Sequence, residues 1–147
     1  MKIIKANLDD SNEVKNIIDL IYDVFVVCNK KDSTQKLIYR MELLYWPDYD
    51  HKSTLKHLKK TPLFFIAKEH TSIIGIIRWN KNKIVNLYID KNKQGMNIWH
   101  KLLETFETEA KKLWSKKIIL KSSKYWLSFY LHHWYTITEN NILEKQL

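Results

Sequence analysis

The spacing of apolar residues changes several times along the chain, and each change marks an element. Lys2 to Ala6 reads as a short strand. Asp10 and Glu13 then have the spacing of a capping box, a side-chain acceptor at the helix entrance with Glu three positions on. Val14, Ile17, Ile18, Ile21, Val24, Phe25 and Cys28 follow at helical spacing. A second helix is expected from about Ser33 to Tyr45, with Leu37, Ile38, Met41, Leu44 and Tyr45 on one face, ended by Trp46-Pro47. Residues 51–60 suggest a third, short helix around Leu55 and Leu58. Leu63–Lys68, Ile73–Trp79 and Ile84–Ile89 are rich in β-branched and aromatic residues and are separated by EHTS and NKNK, which predicts a three-strand meander. Helical period returns over Lys101–Trp114, with Leu102, Leu103, Phe106, Ala110, Leu113 and Trp114 inward. Ile118–Lys121 reads as a strand, Ser128–His133 as a short helix and Tyr135–Thr138 as a final strand. The order of the main elements is β-α-α-β-β-β-α-β-α-β. It predicts an α/β (α+β) chain, a mixed sheet with helices on its faces.

Composition narrows this. The 147 residues suit one domain spanning 1–147, and the 45% hydrophobic and 28% charged content excludes a disordered chain. Glycine is scarce: there are 2, where average usage predicts about ten. Tryptophan is abundant, with 6. The net charge is +9 and is unevenly spread: residues 1–62 carry 11 basic and 9 acidic groups, residues 63–147 carry 14 and 7. That surplus favours an anionic partner (nucleic acid, an acidic membrane or a phosphorylated cofactor), and lysine and isoleucine abundance also fits AT-rich coding. Cys28 is the only cysteine, which leaves no intramolecular disulfide, and its place on the apolar stripe reads as a buried small hydrophobe. The first ten residues lack the apolar stretch of a signal peptide, and no run approaches the roughly 18 apolar residues of a membrane span. A cytoplasmic protein with no membrane partner is the expectation.

The residues from Ile84 to Ser123, IVNLYIDKNKQGMNIWHKLLETFETEAKKLWSKKIILKSS, resemble the acetyl-CoA motif of the GNAT (GCN5-related N-acetyltransferase) family: strand, Gln/Arg-x-x-Gly-x-Gly/Ala loop, amphipathic helix, strand. KYWLSFYLHHWY (Lys124–Tyr135) resembles the helix that follows with its Phe-Tyr pair, and FFIAKEHTSIIGIIR (Phe64–Arg78) the preceding hairpin with its glycine. The opening MKIIKANLDDSNEVKNIIDLIYDVF resembles the family's first strand and helix. The resemblance implies a mostly antiparallel central sheet with helices on both faces, and acetyl-CoA as co-substrate. It implies that the backbone of Leu87, Tyr88 and Ile89 meets the pantetheine arm, and that Gln94, Gly95, Met96, Asn97, Ile98 and Trp99 wrap the pyrophosphate. It implies that Tyr130 protonates the departing thiolate; the residues alone also allow a packed aromatic beside Phe129 and Tyr125. The motif's defining small positions carry Asn97 and Trp99, and Trp114 and Trp134 stand where relatives often have glycine.

No base is evident, since the central strand offers Asn86 and Tyr88 and Glu69 falls near a turn. His132-His133 lacks the companions of a metal site. His100 is either solvated or near phosphate. Lys111, Lys112, Lys116, Lys117, Lys121 and Lys124 form either a solvated face or a contact for a phosphate or polyanion. Tyr45, Trp46 and Tyr49 are either core or the rim of an acceptor entrance. No Walker loop, dinucleotide fingerprint, zinc spacing or nucleophile elbow is present. The leading reading is an N-acetyltransferase acting on a small-molecule, peptide or protein amine by direct attack. A catalytically impaired binding domain of the same fold, and an enzyme acting on a tRNA-linked amine, are the alternatives. Many relatives dimerise, which makes a homodimer an expectation.

Overall fold

Alternation along the central strands sends side chains to two different cores. The computed structural model describes residues 1–28, 34–45, 51–80, 83–122 and 126–147. Its strands are β1 (Lys2–Lys5), β2 (Leu63–Glu69), β3 (Ser72–Asn80), β4 (Lys83–Ile89), β5 (Lys117–Lys121), β6 (Thr136–Ile137) and β7 (Ile142–Gln146). Its helices are α1 (Ser11–Ile21), α2 (Gln35–Tyr45), α3 (Lys52–Leu58), α4 (Ile98–Lys112) and α5 (Leu127–His132). The strands form one seven-stranded sheet in the order β1-β2-β3-β4-β5-β7-β6. Every neighbour is antiparallel except β4–β5, which is parallel.

Phe64, Ile66, Ile73 and Ile76 join Ile17, Ile18 and Ile21 of α1, Met41 and Tyr45 of α2 and Leu58 of α3 in the core on one face. Phe65, Ile74, Ile77, Leu87 and Ile89 join Ile98, Leu102, Leu103 and Phe106 of α4 on the other. Gly75 lets α4 come this close. A Cβ there would lie 2.7 Å from Ile89 Cδ1 and 2.9 Å from Leu102 Cδ1.

The Asp10 carboxylate caps α1 as expected, accepting from the N–H of Asn12 and Glu13. Glu13 departs from the capping box. It accepts from the Asn7 N–H at 2.6 Å and pairs with Lys68 at 2.9 Å, tying the β1–α1 connection to β2. The apolar stripe after α1 continues as π-helical turns from Tyr22 to Cys28. The Cys28 side chain, Trp46, Tyr49, Lys124 and Tyr125 lie outside the described residues.

Two expectations need adjusting. The long helix runs Ile98–Lys112: it opens at about Ile98, as the family resemblance implies, earlier than the helical period from Lys101, and it ends before Trp114. It starts early because Ile98 already packs on the sheet, and it stops early because Trp114 turns left-handed (φ 63°). The last strand is β7, not the segment around Tyr135, which supplies only the two-residue β6. Ile142–Gln146 is mostly polar and shows no long apolar run, yet it pairs along all of β5. Lys117–Glu144 at 3.5 Å and Lys145–Glu107 at 2.7 Å hold its polar side chains.

Candidate active site

Parallel neighbours in a sheet normally share a continuous ladder. Here, among the described residues, β4 and β5 are paired only at Lys83↔Ile119, and the ladder does not continue past it. The register of β3 with β4 jumps between Trp79↔Ile84 and Arg78↔Asn86, so Val85 is an extra residue that bulges β4 just past the last shared pair. From there to Ile89 one edge of β4, including Leu87 and Tyr88, carries backbone groups without a strand beside them among the described residues.

The loop after β4 leads to the start of α4. Asp90 Oδ1 accepts from the Asn92 N–H at 2.8 Å and sets a short 3-10 turn over Lys91–Lys93. Lys93 pairs with Glu69 at the end of β2, and that contact holds the Glu69 carboxyl below its usual range. Glu69 is thus a turn ion pair. After Gln94 and Gly95 (φ 82°), Asn97 enters α4 at φ 59° and makes no side-chain cap bond. The first turn of a helix has N–H groups without intrahelical acceptors. In α4 these lie next to Asn97 with no side-chain cap and no acidic residue in that turn, an arrangement that suits an anion. A Cβ on Gly95 would meet nothing within 4 Å, so the loop borders open space.

Trp99, in that first turn, faces α5. Its ring lies 4.7 Å from that of Trp126 and 5.8 Å from that of Phe129. These residues fit a pyrophosphate at the loop: donors are present, space is open, and the bulky ring has its contacts elsewhere.

Tyr130 sits on α5 with its ring 5.2 Å from Phe129 and 5.6 Å from Tyr135. It is buried, and its hydroxyl has no hydrogen-bond partner among the described residues. Burial pushes its pKa above the ordinary tyrosine value, with a smaller push from Tyr88 on β4. Tyr88 itself is raised to about 12, again by burial first, although the Asn86 amide that donates to its hydroxyl at 3.2 Å works against this. Both phenols stay protonated at neutral pH, so each can donate a proton and neither is a base there. Tyr135 differs. Its hydroxyl donates to Glu107 at 3.0 Å, which makes it a structural link to α4.

His100 and His133 join α4 to α5. The His133 Nδ1 faces the Phe129 carbonyl at 2.8 Å and donates to it, while His133 Nε2 and His100 Nδ1 meet at 2.9 Å. Among the described residues no group of His, Cys, Asp and Glu has the arrangement of a metal site. A groove of about 590 Å³ starts at Asn97 and runs between the two helices past His100, Glu104 and Trp134. It opens outside the helices and does not reach Tyr130 or β4.

The sequence alone did not single out Arg78. This residue is 1% exposed on β3, donates to the Tyr45 hydroxyl at 2.9 Å and lies 3.3 Å from His57 Nε2. Tyr45, left open between core and acceptor rim, is both buried and part of this polar cluster. An arginine inside the apolar run SIIGIIRWN was the available signal.

The structure resembles several solved proteins over nearly its whole length. It matches the PaiA N-acetyltransferase of Thermoplasma acidophilum, solved with coenzyme A, at a TM-score of 0.77 and 18% identity, over 99% of this chain and 98% of that one. It matches a GNAT-family acetyltransferase of Staphylococcus aureus at 0.73 and 16% identity, over 99% and 98%. A GNAT-family acetyltransferase of Brucella melitensis, in complex with acetyl-CoA, matches at 0.65 and 15%, over 99% and 87%. At such identities the likeness establishes the fold. None of the curated proteins compared with the sequence matches it. The sequence description of the acetyltransferase (GNAT) domain matches residues 46–147, more than half the chain. With the short β4–β5 ladder and the uncapped α4 entrance already in place, that match settles the family: the chain belongs to the GNAT acetyltransferases.

Proposed function

We propose that the protein is an acetyl-CoA-dependent N-acetyltransferase that works by direct attack of an amine. The observation that carries this is a spatial sequence among the described residues: the β4 edge without a strand beside it after Lys83, the uncapped α4 entrance at Asn97, and the Tyr130 hydroxyl without a hydrogen-bond partner. Solved relatives of this fold hold coenzyme A or acetyl-CoA. Acetyl-CoA, when bound, supplies the thioester whose acetyl carbon the amine attacks. The N–H groups around Gln94–Trp99 would hold the pyrophosphate, and the Leu87–Ile89 edge would pair with the pantetheine arm as an added strand does. As the N–C bond forms and the C–S bond breaks, Tyr130 would give its proton to the sulfur and regain one from water, while the amine loses its proton to solvent. Burial keeps the Tyr130 phenol protonated, the form a donor must have, and makes it a weaker acid.

The placement of the Trp99 ring against Trp126 and Phe129 supports an open phosphate site over a filled one. Calorimetry with acetyl-CoA, followed by thiol release with a panel of amines, tests the proposal. Saturable binding and amine-dependent thiol release are expected. No binding at millimolar acetyl-CoA overturns it.

A further inference from the structure

Among the described residues Arg78 is a buried cation with no anion beside it. It is 1% exposed, and none of the carboxylates among the described residues pairs with it. Its partners are neutral: the Tyr45 hydroxyl, the His57 ring and the face of Phe64, 5.7 Å from the guanidinium carbon. A guanidinium only donates, so His57 Nε2 accepts and its ring proton sits on Nδ1. Burying a charge is costly unless it is paired, and an arginine matches the fork of a carboxylate or phosphate. On the same face of the sheet Glu13 has its own cation in Lys68. Among the described residues a carboxylate meets the one buried cation and none meets the other.

Two further atoms sharpen this. The Arg78 Nε is buried with no hydrogen-bond partner, and so is Oδ1 of Asn86. Arg78 and Asn86 are directly paired residues of β3 and β4, so their side chains share one face, a few ångströms apart. An unmatched donor and an unmatched acceptor thus sit on paired residues of one sheet face without bonding each other, where a ligand carrying both an oxyanion and an N–H would satisfy both. The place is apt for an acceptor. Asn86 follows the Val85 bulge, and its amide donates to Tyr88 on the same strand.

Resting on the acetyl-transfer reading above, we propose that Arg78 and Asn86 form the seat of an acceptor amine that also carries an oxyanion, a carboxylate or a phosphate. The Arg78 Nε donates to the oxyanion, and Asn86 Oδ1 accepts from the N–H of the same molecule. The acceptors selected are amino acids or phosphorylated amines rather than plain amines or polyamines.

The test uses the full chain saturated with coenzyme A, and calorimetry with matched probes: β-alanine against propylamine, and O-phosphoethanolamine against ethanolamine. At least one oxyanion-bearing probe should bind ten or more times tighter than the plain amine matched with it, and the pair that shows it names the anion. The preference should fall below threefold in Arg78→Met. It should fall likewise in Asn86→Asp, which places a carboxylate opposite the guanidinium and is expected to fold because it pairs the buried charge. Equal affinity within both pairs, no binding of any probe, or an unchanged preference in Asn86→Asp overturns the seat. Thiol release from acetyl-CoA separates the two readings. Equal turnover of plain and anionic amines removes the seat and keeps the transferase. Selective binding of the anionic probe without thiol release keeps the seat and removes the transferase.

Discussion

Trp114 and Trp134 occupy the same position in two different helix ends. Each is the left-handed residue just past a helix, at φ 63° after α4 and φ 68° after α5. The hydrogen bonds match residue for residue. Ser115 N–H reaches the Ala110 carbonyl and Trp114 N–H that of Lys111, while Tyr135 N–H reaches the Tyr130 carbonyl and Trp134 N–H that of Leu131. This is the Schellman closure, whose left-handed position is usually glycine because a Cβ there crowds the next carbonyl. Both rings are exposed, at 91% and 83%, so no burial offsets the strain. Trp114→Gly and Trp134→Gly should each raise stability by about 1 kcal/mol, less what glycine adds to the entropy of the unfolded chain. The two helix ends share no partner, so the gains should add. Urea denaturation of both single variants and the double reads this directly; a loss of stability would show that the rings are held by contacts.

These positions show what the sequence conveys. Family resemblance placed Trp114 and Trp134 at glycine sites, but only backbone angles give the reason, and a tryptophan there does not announce a positive φ. The meander from Leu63 to Ile89 was legible because most of β2 and β3 is buried on both faces and needs apolar side chains, and β4 keeps Ile84, Leu87 and Ile89 buried. The strand Ile142–Gln146 was not, because hydrogen bonds to β5 and ion pairs hold it rather than an apolar pattern. Tyr130 and the loop were placed by motif. The cluster of Arg78, Tyr45 and His57 was beyond reach, since it joins residues of β3, α2 and α3 that only the folded sheet brings together.

Gly75 tests how α4 seats on the sheet. A methyl group there would fall inside contact distance of Ile89 and Leu102, both fully buried, and 3.2 Å from Ile98 at the start of α4. Overpacking of this kind costs about 1–3 kcal/mol. Gly75→Ala should lose that much in thermal denaturation and weaken acetyl-CoA binding, because Ile98 is the first helical residue after the loop. A variant as stable as the parent would mean that α4 moves aside freely.

The Trp99 ring bridges α4 and α5 through Trp126 and Phe129. Trp99→Ala should cost about 1–3 kcal/mol, below the figure for a fully buried tryptophan because this one is half-buried. Its affinity for coenzyme A should stay level or fall, since α5 loses a support and the loop gains nothing. Tighter binding in Trp99→Ala would show that the ring competes with the phosphates.

The last expectation concerns pH. A general acid must be protonated, and an ordinary tyrosine loses its proton near about pH 10. Burial raises Tyr130 above that value, so its acid form persists to higher pH. The attacking amine must be unprotonated, and its fraction grows as pH rises. The product of the two should climb through neutral pH and level off at the pKa of the acceptor amine, with no descending limb up to about pH 10. Tyr88, raised to about 12, adds no limb below that. Tyr130→Phe removes the proton donor and keeps the ring packed on Phe129 and Tyr135. It should lower kcat by about a hundredfold while leaving acetyl-CoA affinity within threefold. An unchanged kcat in Tyr130→Phe would reduce Tyr130 to a packing role, and a rate that falls below pH 9 would assign the proton donor to another group.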